Sequence, residues 1–211
     1  MNLYPKIESI CQQFEQEYDL IPAKRKTQLQ ALSDYIFRKL QHKKPVKLVV
    51  ICTHNSRRSH MGQLWLAVGA DYFQLSDIQT FSGGTQATAF NLRAVKALQN
   101  TGFDIQTESV ETDNSIYHIR WKTGMLPYPA FSKKYEDAPN PTEDFAAIMV
   151  CTQADEGCPL VQGCDFRIGL PFDDPKAFDD TPLETNKYEE RTQQIGREML
   201  YILDQVKQKI K

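Results

Sequence analysis

The chain has 211 residues, 41% of them hydrophobic and 25% charged, which is enough to bury a sizeable core in one domain. A formal net charge of -2 gives no general attraction to nucleic acid or to an anionic membrane, so an anionic substrate would need a local site. No apolar run reaches membrane-spanning length, and the N-terminus is too acidic and interrupted for a signal peptide. Five cysteines (Cys11, Cys52, Cys151, Cys158 and Cys164) are an odd number, unlike a secreted disulfide scaffold. The expected setting is cytoplasmic, where grouped thiols serve catalysis, redox cycling or metal binding.

Ile7, Ile10, Cys11, Phe14 and Tyr18 recur at helical spacing, Pro22 interrupts, and Leu29, Leu32, Ile36 and Leu40 resume it. Residues 1–45 are therefore expected to form a helical hairpin, ended by His42–Pro45. It packs on the rest of the chain by default, with dimerisation as the alternative. From Lys47 the pattern changes: Leu48–Ile51 is a continuous, β-branched apolar run suited to a strand buried on both faces. A loop follows, then a helix along Met61, Leu64, Trp65 and Val68. Ile78–Phe81 predicts a second strand closed by Ser82-Gly83-Gly84, and Phe90–Asn100 a helix capped near Gly102. Residues 116–141 break the alternation. Tyr117–Lys122 alternates, then Gly124 and two prolines precede Phe131–Tyr135, which predicts an inserted hairpin. Its aromatics either cover a site or staple the hairpin to the core. Ala146–Val150 and Phe166–Leu170 predict two more strands, and Tyr188, Ile195, Met199, Ile202 and Val206 a closing helix. The fold class is α/β, with a four-stranded parallel sheet flanked by helices over residues 46–211.

Between the first strand and its helix lies Cys52-Thr53-His54-Asn55-Ser56-Arg57-Arg58-Ser59, a Cys-x5-Arg-Ser spacing. A loop of this length can wind its amides around one tetrahedral anion, with the helix N-terminus adding partial positive charge. The same field favours a thiolate at Cys52, and the planar fork of Arg58 can clamp two substrate oxygens. The plain alternative is a buried core thiol at a strand end. Asp174, stiffened by Pro175, can present a proton to a leaving oxygen, although Asp-Pro is also a turn former. Cys151 ends a buried strand and Cys158 follows in a polar loop. The pair can pass oxidation outward by thiol exchange, or can be a core residue and an incidental loop thiol. Zinc binding with Cys164 lacks the usual Cys-x2-Cys spacing, so no metal and no cofactor are assigned. Cys164 is an alternative resolving thiol or a bystander, and Cys11 is most simply core.

With its strand and helix, the Cys52–Ser59 loop resembles the low-molecular-weight protein tyrosine phosphatase superfamily, including the thioredoxin-linked arsenate reductases built on that fold. The resemblance runs from about Lys47 to the C-terminus and leaves out residues 116–141. It implies Cys52 as nucleophile, Arg58 as oxyanion ligand, Asn55 as loop brace, Ser59 as thiolate partner and Asp174 as general acid. Thr53, His54, Ser56 and Arg57 complete the substrate-binding loop. His54 stands where the family usually has Gly, and Arg57 where it often has a second Cys. The spacing Cys151-x6-Cys158, with Ala154-Asp155 between and Pro159 after, resembles the reductases. It implies a Cys52–Cys151–Cys158 disulfide relay recycled by thioredoxin, with glutathione–glutaredoxin chemistry as an alternative reductant. Lys176-Ala177-Phe178 after Pro175 departs from the Tyr that phosphatases of the family carry there. The leading expectation is thus a cytoplasmic arsenate reductase. The alternatives are a phosphatase for phosphotyrosine or small phosphate esters with redox-regulatory cysteines, and a non-catalytic oxyanion sensor.

Overall fold

The computed structural model describes residues 2–107, 114–158 and 160–210, so Pro159 lies outside the described residues. Helices α1 (Pro5–Gln16) and α2 (Ala23–Gln41) lead into strand β1 (Val46–Cys52), helix α3 (Arg58–Tyr72), strand β2 (Ile78–Gly84) and helix α4 (Leu92–Asn100). Strands β3 (Asp104–Thr107), β4 (Tyr117–Arg120), β5 (Tyr128–Ala130) and β6 (Phe145–Met149) follow. The short helix α5 (Thr152–Gly157), strand β7 (Cys164–Gly169) and helix α6 (Glu184–Ile210) complete the chain.

The main sheet is four-stranded and parallel, in the order β2-β1-β6-β7. Every residue of β1 except Lys47 is buried, as a central strand covered on both faces requires. Helix α6 packs against α1, α2, α3 and α4. The edge of Phe14 in α1 meets Trp65 of α3 at a centroid distance of 5.2 Å. Gly196 of α6 makes that approach feasible, because a Cβ there would come within 2.6 Å of Phe14 and 2.9 Å of Trp65. Tyr35 of α2 stacks on Phe166 of β7 at 4.8 Å. The apolar faces of the first two helices are thus covered by the chain itself.

The chain leaves β1 towards β2 on one side and returns to β6 on the other. The crevice at the carboxyl ends of β1 and β6 is therefore the topological switch point, where open α/β sheets bind ligands. Cys52 ends β1 and Cys151 follows β6, and Val150 N–H donates to Ile51 O across the two strands at 2.8 Å.

Three sequence expectations change. Ser82-Gly83-Gly84 does not close β2 but belongs to it, with Gly84 in register with Cys52. The inserted hairpin has its second arm at Tyr128–Ala130, earlier than Phe131–Tyr135, and Pro129 is tolerated because β5 is an edge strand. Its first arm also pairs with β3, giving a three-stranded antiparallel sheet in the order β3-β4-β5. Among the described residues no helix is long and apolar enough to cross a membrane.

Candidate active site

The chain turns at Cys52 and enters α3 at Arg58. In this turn the left-handed position is Asn55, at φ 44°, a conformation that Asn tolerates better than most side chains. His54, expected to need a glycine-like conformation, has no positive φ; its side chain is exposed at the mouth of the site.

The carbonyls of the loop are taken up one after another by groups outside it. Thr85 N–H donates to Cys52 O (3.2 Å) and Gln86 N–H to Thr53 O (2.8 Å). The hydroxyl groups of Thr88 (3.2 Å) and Ser132 (2.9 Å) donate to His54 O. His60 reaches Asn55 O at 3.0 Å, and Asn91 N–H donates to Ser56 O at 2.9 Å. The amides from Thr53 to Arg57 donate to no acceptor among the described residues. Outward carbonyls leave these amides to the inside of the turn, at the N-terminus of α3. That is the charge distribution an oxyanion requires. Gly84 permits the close fit, since a Cβ there would lie 2.7 Å from Asn55 N and 2.8 Å from Thr53 O.

Inside the turn, Cys52 Sγ lies 3.1 Å from Ser59 Oγ. Asn55 Nδ2–H donates to Ser59 Oγ at 2.9 Å, which occupies a lone pair and leaves the Ser59 proton for the sulfur. Asn55 Oδ1 accepts from Lys133 N–H at 2.9 Å. The side chain of Asn55 therefore ties Ser59, the loop and the insert together, and it is fully buried.

Arg58 reaches across the mouth. Its Nη1 donates to Phe172 O at 2.7 Å and its Nη2 to Asp174 Oδ2 at 2.6 Å. Asp174 also caps the short 3-10 turn Pro175–Phe178, its Oδ1 accepting from Lys176 N–H at 3.1 Å. Arg57 turns away from the loop interior, and its Nε donates to Tyr188 Oη at 2.7 Å.

Cys151 is buried at the rim, with Sγ 3.4 Å from Thr53 Oγ1 and accepting from Ala154 N–H at 3.4 Å. An open cleft of about 690 Å³ has Cys151, Arg58, Asp174 and Lys176 on its walls. Cys158 is not at this site. The segment expected as a polar loop is the helix α5, and Cys158 caps its far end with its N–H donating to Ala154 O at 3.1 Å while its Sγ donates to Leu160 O at 3.3 Å. Cys11 is buried in the core, its thiol pushed up to about 12 by burial first and then by Glu15 and Glu8. Among the described residues no group of three or more His, Cys, Asp or Glu side chains is placed to hold a metal ion.

Two buried titratable groups behind the loop have no counterpart among the sequence candidates. His60 stacks on Phe90 at 3.9 Å between centroids, and Ser82 Oγ lies 3.3 Å from its Nδ1. Asn55 O can only accept, so the imidazole carries its proton on Nε2. Burial, followed by the Lys133 charge, lowers its pKa to about 3. Lys133 is itself lowered to about 8 by burial, with Asp137 opposing. Its ammonium sits 4.7 Å from the centre of the Phe131 ring. A histidine directly after the loop serine was the available signal for the first; for Lys133 there was none.

No protein-family model matches the chain. It is 26% identical over 128 residues to "Arsenate reductase 2" of Staphylococcus epidermidis, which covers 59% of this chain and 75% of that protein. To "Arsenate reductase" of Brevibacillus brevis it is 27% identical over 125 residues, covering 59% and 73%. Among solved structures, a low molecular weight phosphotyrosine phosphatase from Vibrio cholerae superposes with a TM-score of 0.49 at 15% identity, over 75% of this chain and 95% of that one. An arginine phosphatase from Geobacillus stearothermophilus superposes with a TM-score of 0.46 at 16% identity, over 79% and 93%. In sequence the chain resembles arsenate reductases, in agreement with the loop and thiol-pair motifs.

Proposed function

We propose that this chain, similar in sequence to arsenate reductases, is itself a cytoplasmic arsenate reductase recycled by thioredoxin. The observation that carries the reading is the second thiol. Cys151 Sγ stands at the rim of the oxyanion loop, 3.4 Å from Thr53 Oγ1, just past the end of the strand beside the nucleophile's own. Phosphate ester hydrolysis has no use for a thiol there, whereas reduction of arsenic needs an electron pair from a second sulfur.

In the first step Cys52 thiolate attacks arsenate held by the loop amides and Arg58, and an S–As bond forms. An oxygen leaves as water, taking a proton from Asp174. Cys151 thiolate then attacks the Cys52 sulfur. The S–As electron pair stays with arsenic, which departs as arsenite, and a Cys52–Cys151 disulfide remains. Cys158 thiolate next attacks the Cys151 sulfur and releases Cys52 thiolate. Thioredoxin, a dithiol reductant, takes up the Cys151–Cys158 disulfide.

The third step requires movement. Seven residues of helical rise separate Cys151 from Cys158 by about 10 Å, whereas a disulfide needs Cα atoms about 4.4–6.8 Å apart. Helix α5 must therefore unwind. It has six residues, of which Ala154 is the buried one, so little packing opposes this. Residues 1–45 are read as a helical extension of a catalytic unit spanning 46–211, with 116–141 as its insert. Ser132 and Lys133 of that insert brace the loop.

A phosphate ester would meet the same Arg58–Asp174 pair at the mouth of the loop, so that pair serves the phosphatase alternative equally well. Against an aromatic ester, Phe172, the phenyl ring on the cleft wall, is buried. The test is NADPH consumption with thioredoxin and thioredoxin reductase, with and without arsenate. Wild type is compared with Cys52→Ser, Cys151→Ser and Cys158→Ser. Arsenate-dependent turnover lost in each variant is the expected result. Aryl phosphate hydrolysis that survives loss of Cys151 and Cys158, with no arsenate turnover, would refute the reductase.

A further inference from the structure

Arg57 and Arg58 are consecutive, yet their guanidinium groups serve different ends. Arg58 lies over the loop, paired with Asp174. Arg57 donates from Nε to Tyr188 Oη at 2.7 Å and from Nη2 to Asp179 Oδ2 at 3.4 Å. Tyr188 in turn donates its hydroxyl to Asp179 Oδ1 at 2.7 Å, closing a three-membered ring of contacts. Asp179 caps the end of the same 3-10 turn that Asp174 begins. We propose that Arg57, Asp179 and Tyr188 form a positioning tie that holds the Asp174 segment against the oxyanion loop when Arg58 turns from Asp174 to the anion.

The argument follows from what binding must do to Arg58. In this structure the segment is held to the loop at both ends: Arg58 grips Asp174 at its start, and Arg57 grips Asp179 at its end. An oxyanion in the cup competes for the Arg58 fork. Once that fork turns inward, the start of the segment loses its ion pair, while Asp174 must remain near the leaving oxygen to protonate it. The second grip does not compete with the anion, because the Arg57 side chain runs away from the loop interior to Tyr188 and Asp179. Its partners are well anchored. Tyr188 is buried in α6, and Asp179 is also faced by Arg93 Nη1 at 3.8 Å. Arg93 extends the anchor by binding Asp180 and Glu184, both at 2.6 Å. The Arg57 backbone, meanwhile, stays in the oxyanion turn. One residue thus couples the cup that binds the anion to the segment that carries the acid. The sequence places Arg57 among the substrate ligands; its geometry makes it a residue that acts through Asp174.

The inference rests on Asp174 acting as the proton donor in the proposed reaction, and the experiment separates the two. Amide hydrogen exchange of residues 174–181 is measured in saturating inorganic phosphate for wild type, Arg57→Met and Tyr188→Phe. Phosphate affinity is measured by calorimetry, with Arg58→Met as the control for a true anion ligand. The expected result is exchange faster by about tenfold or more, confined to residues 174–181, with phosphate affinity within about threefold of wild type. Arsenate kcat should fall on the order of tenfold to a hundredfold while KM changes little. Unchanged exchange in both variants would overturn the tie, as would faster exchange spread over the whole chain. A loss of phosphate affinity in Arg57→Met equal to that in Arg58→Met would also overturn it, by making Arg57 an anion ligand. Full arsenate turnover in Asp174→Asn would instead remove the acid from the proposed reaction and leave the tie standing on its exchange result.

Discussion

Replacing Asn55 with Ala removes the brace on which the oxyanion loop depends, and its cost can be built from the structure. The substitution deletes the Nδ2 donor to Ser59 Oγ and the Oδ1 acceptor for Lys133 N–H, both at 2.9 Å in a fully buried side chain. Leaving the Lys133 amide without a partner costs about 1–3 kcal/mol. Holding Ala at φ 44° adds about 1–2 kcal/mol at most, because Ala lacks the short polar side chain through which Asn offsets the left-handed penalty. The sum is roughly 2–5 kcal/mol, a large share of the ~5–15 kcal/mol that stabilises a typical protein. Asn55→Gly loses the same hydrogen bonds without the backbone strain, so it should cost only the first part, about 1–3 kcal/mol. Urea unfolding followed by tryptophan fluorescence measures both. Phosphate calorimetry then tests function: Asn55→Ala should bind the anion weakly, because the turn no longer presents its amides, and Ser59 is free to rotate away from Cys52. If both variants stay within ~0.5 kcal/mol of wild type and bind phosphate normally, the brace is not what shapes the loop.

Two pH effects follow from the groups behind the loop. His60 has a folded pKa near 3 against an ordinary value of 6.5, because burial disfavours its charged form. Its folded value is depressed, so the stability it contributes is present above pH 6.5 and is lost as pH falls towards 3. His60→Gln should flatten that acid limb in unfolding titrations; an unchanged limb would refute the assignment. Lys133, lowered to about 8 by burial, carries an ammonium that disfavours the folded state at neutral pH and is relieved as pH rises through 8 to 10.5. Lys133→Met should therefore raise stability at pH 7 by on the order of 1–3 kcal/mol and narrow the gain to little above pH 10; a destabilised variant at pH 7 would count against it. Gly84→Ala should abolish phosphate binding while a folded circular dichroism spectrum is retained, because the added Cβ meets Gln86 O at 2.3 Å and Asn55 N at 2.7 Å. Normal phosphate affinity in that variant would show the loop to be more yielding than its contacts imply.

Local chemistry made the turn from Cys52 to Ser59 legible. A continuous β-branched run, a cysteine, five residues, an arginine and an apolar-rich helix are all neighbours along the chain, so strand, cup and helix N-terminus could be placed without knowing any distant contact. The same holds for the central strands, whose residues are apolar on both faces, and for the long closing helix with its 3.6-residue period. Strand β3 was not legible, because Asp104, Gln106 and Thr107 carry little apolar signal and its partner, Tyr117–Arg120, is the first arm of the insert. Helix α5 is too short and polar to be told from a loop.

The division of labour between Arg57 and Arg58 was decided only in three dimensions. Arg57 is the non-helical N-cap and Arg58 the first helical residue, and which of their side chains faces the cup depends on where Asp174, Asp179 and Tyr188 arrive from the far end of the chain. The braces on the loop come likewise from remote segments: Thr85, Thr88 and Ser132 on its carbonyls and Lys133 on the Asn55 side chain. Residue order along the chain determined what the loop could bind; long-range packing decided which side chains hold it open for the anion, because hydrogen bonds between distant segments leave no periodic mark in the sequence.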